Sequence, residues 1–405
     1  MKFQNNILRF GTLAAASLAL GLLVGCNGSK TPANGEASNP IKLGLVASQN
    51  GALRPWGSDC IKGAQLAVDE INAAGGIHGR QVLLMVGDSN SNPEQGKSAA
   101  EKLISDGVVA LLGEIASGIT QPIATLAHEN GIPLITPGAT KTTITDIGPG
   151  IFRVCYTDDF QGPVMATFAY ESLELRRIAV MTDKKQPYST YLSTAFSKKF
   201  EELGGEIVAE EFYESGNTNF LGQITKIKAT NPDGMFMSGY FTEVGPIAEQ
   251  ADQQGLRVKF LGGDGWDSSE LVNSAGDAII GGFFCNHYNS EDGRPEVLKF
   301  LEDWDKKYTG KPGTTMAPLA YDAAMIMMDA MKRADSLGGQ DLIDAIENTV
   351  NYPGVSGSIT LLGMGGDPHK RAIIVRVTAE GQSFAKAIEY EEIFGEDESD
   401  SDDSE

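Results

Sequence analysis

Apolar residues follow two different spacings along most of the chain. Short apolar runs, such as IKLGLVAS at 41–48 and QVLLMV at 81–86, are typical of buried strands. Between them lie longer segments whose apolar residues share one helix face, and SDCIKGAQLAVDEINA at 58–73 is an example. Strands that alternate with amphipathic helices predict a parallel sheet with helices on both faces.

The alternation occurs in two series, and the second begins after the pattern resets near residue 151. Strands of the first series are predicted at 41–48, 81–86, 108–112 and 132–136. Strands of the second series are predicted at 178–182, 206–212, 234–238, 258–261 and 280–286. Helices near 294–308, 318–333 and 339–348 follow, with strands at 356–361 and 371–377. We therefore expect an α/β protein of two doubly wound, Rossmann-like lobes, in which the late helices cover the first sheet.

This arrangement divides the chain into interleaved segments, and 405 residues are enough for two such cores. Lobe 1 is predicted to comprise residues 41–157 and 286–376, and lobe 2 residues 158–285 and 377–390. The chain would then cross between the lobes three times, near residues 157, 285 and 377, which makes a three-strand hinge. A cleft between two hinged lobes is a common binding site for a small ligand.

The first 40 residues precede this pattern and differ from it in composition. Lys2 and Arg9 come before or at the edge of the apolar stretch FGTLAAASLALGLLVG, which is too short for a confident membrane span and is typical of an export signal. The sequence Leu23-Val24-Gly25-Cys26 then resembles a bacterial lipobox, with a plain secretory signal as the alternative. Residues 1–25 would be removed, and residues 26–40 would form a flexible tether from a lipid on Cys26.

Charge and cysteine content narrow the choice of function. The formal net charge is −22 and no basic stripe is present, which argues against nucleic-acid binding. Residues 391–405 hold nine acidic residues and no basic ones, so this tail is expected to be disordered, with attraction of a cation or partner as the alternative. Beyond Cys26, the thiols of Cys60, Cys155 and Cys285 allow either one disulfide or three buried thiols.

Candidate site residues come from the loops that follow the strands, because ligands of doubly wound sheets bind beyond the carboxyl ends of the strands. In the loop TPGAT, the amides of Gly138, Ala139 and Thr140 are expected to be free to bind an anion. Ser117 precedes a predicted helix whose N-terminus would also attract negative charge. An ordinary turn and simple N-capping are the alternatives.

The other candidates are an acid and three aromatic residues. Asp264 lies between two glycines on a loop of the second series, where it could pair with a ligand ammonium across the cleft. A turn aspartate without a ligand is the alternative. Trp56, Tyr188 and Tyr240 lie in predicted loops with polar neighbours and could wall a ligand pocket, although aromatic residues are more often part of a core.

Motifs for catalysis, metal binding or nucleotide binding do not occur in the sequence. The four histidines form no HExxH pattern, and no predicted strand is followed by GxGxxG, a P-loop or a nucleophile elbow. We therefore expect neither an enzyme nor a metal or other cofactor.

Four segments of the chain resemble one family. They are GAQLAVDEINAAGGIHGR at 63–80, ITQPIATLAHENGIPLITPGAT at 119–140, FRVCYTDDFQG at 152–162 and the GGDGW loop. Together they are similar to type I periplasmic solute-binding proteins of branched-chain amino acid (Leu/Ile/Val) transporters, over residues 41–390. The resemblance implies a protein that closes two lobes over one amino acid or small amide and delivers it to an ABC transporter permease. Together with the lipobox, we expect a monomeric, membrane-anchored lipoprotein outside the cytoplasm.

The resemblance also assigns roles to residues. With the loop residues above, it gives nine candidate ligand-binding residues: Trp56, Ser117, Gly138, Ala139, Thr140, Asp158, Tyr188, Tyr240 and Asp264. By the resemblance, Ser117, Gly138 and Thr140 would hold the α-carboxylate and α-amino groups of the ligand. Asp264 would stand where the family has an acid for the ammonium group, and Trp56 where it has an aromatic residue over the ligand. Asp158 and Tyr188 would complete the polar site.

The chain departs from the family pattern in two places, and both concern the ligand. The first loop carries Arg54-Pro55-Trp56, which is bulkier and more basic than a simple aliphatic pocket, and Asp264 is one methylene shorter than glutamate. Arg54 could point to solvent or meet a polar ligand. Both departures bear on the branched-chain specificity and leave the amino-acid class intact. Two alternatives to an amino acid transport protein are a binding protein for urea or a short amide and a ligand sensor that presents its closed form to a membrane receptor.

Replacing the lipobox cysteine tests the predicted anchor. Cys26→Ser removes the thiol that would carry the lipid, so we expect the exported protein to move from the membrane fraction to the soluble fraction. Cell fractionation and immunoblotting measure this distribution, with Ser29→Ala as a control that should stay with the membrane. Retention of Cys26→Ser in the membrane fraction would reject the lipobox.

Overall fold

The computed structural model describes residues 39–395. The predictions for the export signal, for Cys26 and for residues 396–405 of the acidic tail lie outside the described residues. Between residues 39 and 395, no helix combines the length and the apolar character needed to cross a membrane.

Strands and helices alternate along the described chain, as predicted. The strands are β1 (Ile41–Ala47), β2 (Val82–Asp88), β3 (Ala110–Leu112), β4 (Leu134–Thr136), β5 (Ile151–Arg153), β6 (Arg177–Asp183), β7 (Glu206–Tyr213), β8 (Gly234–Met237), β9 (Lys259–Gly262), β10 (Phe283–Asn286), β11 (Tyr352–Gly354), β12 (Gly357–Ile359), β13 (Ala372–Thr378) and β14 (Gly381–Ile388). The helices are α1 (Arg54–Ala73), α2 (Pro93–Ser105), α3 (Ser117–Glu129), α4 (Asp158–Thr167), α5 (Pro187–Glu202), α6 (Leu221–Ala229), α7 (Phe241–Gln253), α8 (Ser269–Ala275), α9 (Pro295–Tyr308), α10 (Met316–Arg333), α11 (Gly339–Glu347) and α12 (Tyr390–Phe394).

Two large sheets organise the two lobes. The sheet of lobe 1 has the order β2-β1-β3-β4-β5, and all its strands are parallel. The sheet of lobe 2 has the order β14-β13-β10-β9-β8-β6-β7, in which β13 and β14 are antiparallel additions to a parallel core. The predicted α/β class with two doubly wound lobes is confirmed.

The late helices pack on lobe 1. Tyr308 at the end of α9 donates a hydrogen bond to the carbonyl oxygen of Lys62 in α1 (3.0 Å), and the hydroxyl of Tyr321 in α10 lies 3.1 Å from the carboxylate of Glu70 in α1. After β10 the chain therefore returns to the first lobe.

The third crossing between the lobes comes earlier than predicted. β13 begins at Ala372 and pairs with β10 in the second sheet, whereas the predicted boundary near residue 377 falls inside this strand. The apolar run at 371–377 correctly predicted a strand, but a continuous apolar run carries no information about which sheet it joins.

The start of the acidic tail is ordered. Residues 391–394 were expected to be disordered and instead belong to α12. The rings of Tyr390 and Phe394 pack against Phe160, with centroids 5.3 and 6.1 Å away. Aromatic packing thus stabilises the start of the acidic tail, although the composition of the tail is that of a solvated charge run.

Candidate functional site

A small cavity lies between the lobes. Seven of the nine predicted residues line it: Trp56, Ser117, Gly138, Thr140, Tyr188, Tyr240 and Asp264. Four residues that were not predicted also line it: Ile115, Ala116, Gly265 and Met316. Its walls come from segments that are far apart in sequence, because the carboxyl ends of parallel strands converge at one edge of each sheet.

The N-terminus of α3 forms one wall. Ser117 is the first residue of this helix, which starts two residues before the predicted position. The buried carboxylate of Glu114 fixes the preceding turn by accepting the amides of Ile115 (2.7 Å) and Ala116 (3.1 Å). Its other oxygen accepts the hydroxyl of Ser48 (2.5 Å). The first amides of α3 have no acceptor within the helix, so the helix presents its positive end to the cavity.

A buried arginine holds the TPGAT loop beside this helix. Arg153 is 0% exposed, pairs with Asp367 (2.6 Å) and donates to the carbonyl oxygen of Ala139 (2.7 Å). The amide of Ala139 donates to the hydroxyl of Thr136 (3.1 Å), so the prediction that this amide is free was wrong. Ala139 therefore anchors the loop from behind and leaves its neighbour Thr140 at the cavity.

Gly138 keeps the floor of the cavity open. A Cβ atom at this position would lie 2.9 Å from Cγ2 of Ile115 and 3.3 Å from Sδ of Met316. Both neighbours line the cavity, so a larger residue would push them into the space between the lobes.

Three aromatic rings form the opposite side. Tyr188 stacks on Tyr240 with centroids 5.1 Å apart, and Trp56 meets Tyr240 edge-on, also at 5.1 Å. Trp56 lies in the first turn of α1 and not in a loop, because the helix starts at Arg54 with Pro55 in its first turn. The helix therefore begins four residues before the segment predicted at 58–73. Arg54 is exposed and does not line the cavity.

Asp264 is a buried acid at the cavity. It is 3% exposed, and one carboxylate oxygen accepts hydrogen bonds from the hydroxyl of Tyr188 (2.8 Å) and Nε2 of Gln161 (3.1 Å). The other oxygen lies 3.0 Å from Nε2 of His287. Among residues 39–395, His287 is the only group found at ion-pair distance from Asp264.

His287 leaves the charge of Asp264 uncompensated. Burial lowers the pKa of His287, although the neighbouring Asp264 acts in the opposite direction. The neutral imidazole donates from Nε2 to the carboxylate, which can only accept. Its ring stacks on Tyr156 at 3.7 Å between centroids. His287 follows the strand predicted at 280–286, so the rule on strand ends that identified the other loops could have identified it too.

Asp158 lies behind the cavity and does not line it. Its amide donates to the carbonyl oxygen of Thr140 (2.8 Å), and its carboxyl accepts Nε2 of Gln161 (2.7 Å). Burial first, and then the charge of Asp264, raise the pKa of Asp158 to about 8. Gln161 therefore bridges a neutral acid and Asp264, a link that no sequence pattern indicated.

Two buried hydroxyls at the cavity have no hydrogen-bond partner in the described part of the chain. They are Oγ1 of Thr140 and the hydroxyl of Tyr240. Buried polar groups are nearly always satisfied, so these two suit a polar ligand. With Asp264 and the N-terminus of α3 both at the cavity, the site can hold a small molecule that carries both a cation and an anion.

The cysteines and possible metal ligands add no further chemistry here. No disulfide links the three cysteines of the described residues, since the thiols of Cys60, Cys155 and Cys285 are buried and free. Within residues 39–395, no cluster of histidine, cysteine or acidic residues is arranged to hold a metal ion.

The raised pKa of Asp158 predicts a pH dependence of stability. The carboxyl ionises near its ordinary value of 3.8 in the unfolded chain, but keeps its proton up to about pH 8 when folded. Its contribution to stability is therefore complete below about pH 4 and is lost as the pH rises through about 8. Asp158→Asn replaces the neutral acid by a neutral amide and should weaken this decline, as measured by chemical denaturation from about pH 5 to about pH 9.

Asp159, the exposed residue next to Asp158, provides the control for the denaturation experiment. Asp159→Asn should retain the pH dependence of the wild-type protein, since Asp159 lies at the surface. A stability difference between wild type and Asp158→Asn that stays constant with pH would contradict the buried neutral acid.

Comparisons with known proteins agree with this architecture. The family model described as periplasmic binding protein matches residues 40–382. Leu/Ile/Val-binding protein homolog 1 of Brucella abortus is 32% identical over 329 residues, which cover 80% of this chain and 87% of the relative. The leucine-, isoleucine-, valine-, threonine-, and alanine-binding protein of Pseudomonas aeruginosa is 30% identical over 319 residues, which cover 78% and 85%.

Two solved structures resemble the whole described body. The leucine binding protein LivK of Thermotoga maritima has a TM-score of 0.82 and 34% identity, covering 86% of this chain and 99% of that one. The branched-chain amino acid transporter substrate binding protein LivJ of Streptococcus pneumoniae, in complex with isoleucine, has a TM-score of 0.81 and 30% identity with the same coverage. The chain therefore belongs to the periplasmic binding protein family, a family of binding proteins and not of enzymes, as the resemblance predicted.

Proposed function

We propose that the protein is the substrate-binding component of an ABC transporter and captures a branched-chain or closely related α-amino acid between its lobes. The observation that carries this proposal is Asp264, a buried carboxylate without a cationic partner that faces the cavity. An α-ammonium group would supply the missing charge. The α-carboxylate would lie at the N-terminus of α3, beside Ser117 and Thr140.

The remaining walls suit an aliphatic side chain. Ile115 and Met316 from lobe 1 and the rings of Trp56 and Tyr240 surround the cavity, and its small size limits the ligand to a small molecule. Relatives named for binding leucine, isoleucine and valine support this choice. Urea and simple amides fit less well, because a neutral ligand would leave the charge of Asp264 unpaired.

Capture would proceed by closure of the hinge. The ligand would first meet the lobe 1 wall at Ser117 and Thr140, and closure would then bring Tyr188, Tyr240 and Asp264 across the cleft. A ligand shifts the equilibrium between open and closed forms only as far as it binds the closed form better. Contact with both lobes at once provides that difference in affinity.

The place of capture is part of the proposal. The export signal and lipobox at the N-terminus support a lipoprotein held through Cys26 outside the cytoplasmic membrane, and we propose that it acts as a monomer. A tethered body can deliver its ligand to a permease in the same membrane without diffusing away.

A thermal-shift panel tests the ligand class. We expect the mature protein to be stabilised by leucine, isoleucine or valine, because a ligand at about a hundred times its dissociation constant adds about 2.7 kcal/mol to the free energy of unfolding. The panel includes the other common amino acids, urea and short amides. Stabilisation by another amino acid alone would agree with the proposed binding of the ammonium and carboxylate groups. It would show that the remaining walls accept a different side chain. Stabilisation only by urea or amides would refute the role of Asp264.

A further inference from the structure

Asp267 lies three residues beyond Asp264 and outside the ligand cavity. It is 2% exposed and belongs to lobe 2, between β9 and α8. It nevertheless contacts lobe 1 through both its backbone and its side chain, and the two contacts lead to two different walls of the cavity.

The backbone contact goes to the aromatic cover. Nε1 of Trp56 in α1 donates a hydrogen bond to the carbonyl oxygen of Asp267 at 2.7 Å. Both residues are buried, so water does not compete for this bond in the closed arrangement. This bond joins α1 of lobe 1 to lobe 2 beside the cavity.

The side-chain contact goes to the start of α10. One carboxylate oxygen of Asp267 accepts the amide of Thr315 at 2.5 Å and also contacts its hydroxyl, which is shared with Oδ1 of Asn286. Thr315 precedes Met316, the first residue of α10 and a wall of the cavity. A carboxylate at the N-terminus of an 18-residue helix is favoured by the helix dipole, and charge-assisted hydrogen bonds are stronger than neutral ones.

Lobe 2 holds this carboxylate in position. Nε2 of Gln382 in β14 donates to the other oxygen of Asp267 at 2.5 Å. The acid is thus anchored in its own lobe by one oxygen and joined to lobe 1 by the other. Opening of the cleft would break the bonds to Trp56 and Thr315 together and leave a desolvated carboxylate to be rehydrated.

We propose that Asp267 is an interlobe latch, a positioning residue that determines how long the ligand stays bound without touching it. The proposal rests on the proposed function, in that it concerns release from the same cleft. The bonds of the latch can form only after the lobes meet, so the latch slows opening and has little effect on the first encounter with the ligand.

Stopped-flow kinetics with L-isoleucine test the latch. Asp267→Ala is expected to raise the dissociation rate constant at least about 10-fold and to change the association rate constant less than about 3-fold. Thr315→Val keeps the shape and the backbone amide but loses the hydroxyl, and should raise the dissociation rate in the same direction by a smaller factor.

Asp322 provides the matched control. It is a buried aspartate whose carboxylate accepts the amides of Val355 and Ser356, both at 2.8 Å, within the part of the chain that packs on lobe 1. Asp322→Ala should lower the melting temperature without changing the dissociation rate. This separates loss of a latch from general loss of stability.

The possible outcomes test the latch and the proposed ligand separately. The latch would be overturned by an unchanged dissociation rate in Asp267→Ala or by an equal rise of that rate in Asp322→Ala. If Asp267→Ala does not fold, an unchanged dissociation rate in Thr315→Val would overturn the latch. If wild type does not bind isoleucine, the ligand proposed for the site fails. The latch is then judged by small-angle scattering of unliganded protein: Asp267→Ala must show a larger radius of gyration than wild type and Asp322→Ala, and equal radii would overturn it.

Discussion

The cleft depends on a buried negative charge that the described protein does not neutralise. Three hydrogen-bond donors, from Tyr188, Gln161 and His287, hold the carboxylate of Asp264 in place. None of them brings a positive charge, since burial keeps His287 neutral by lowering its pKa. Because an uncompensated buried charge costs several kcal/mol, the closed form is favoured most when a ligand supplies a cation. Selectivity and closure then follow from the same interaction.

The opposite wall is prepared for an anion by two structural charges that do not face the ligand. Glu114 organises the turn before α3, and Arg153 fixes the loop that carries Thr140. Both side chains are buried, and their hydrogen bonds are made to other residues of lobe 1. Such preorganisation lowers the ordering cost of binding, because the groups that meet the ligand already have their positions in the free protein. Only the relative position of the lobes is then left to change.

The sequence was most informative where structure depends on local pattern. Alternating strand and helix periods are local, so the two series of βα units could be predicted, and the rule on strand ends brought Ser117, Thr140 and Asp264 to one cavity. Contacts between distant segments left no such pattern. The link from Gln161 to Asp264 joins residues 103 positions apart, and β13 was assigned to the wrong lobe because its partner strand lies far along the chain.

The other errors have both local and long-range origins. The amide of Ala139 is used by a side chain three residues away, which the small residues of TPGAT did not indicate. Asp158 is held neutral behind the cavity, since two acids cannot both ionise in one buried region. The start of α12 depends on the ring of Phe160, more than 200 residues earlier in the chain. The contact of Ala139 is local, whereas in the other two cases a tertiary contact outweighed the local preference.

A calorimetric cycle tests the account most directly. L-isoleucine and 3-methylpentanoic acid, which lacks only the ammonium group, would be titrated into wild type and Asp264→Asn, with exposed Asp159→Asn as control. We predict that wild type prefers isoleucine by about 2–5 kcal/mol and that Asp264→Asn loses most of this preference, as expected for removal of a buried charge partner. An equal preference in wild type and Asp264→Asn would show that Asp264 does not bind the ammonium and would contradict the account.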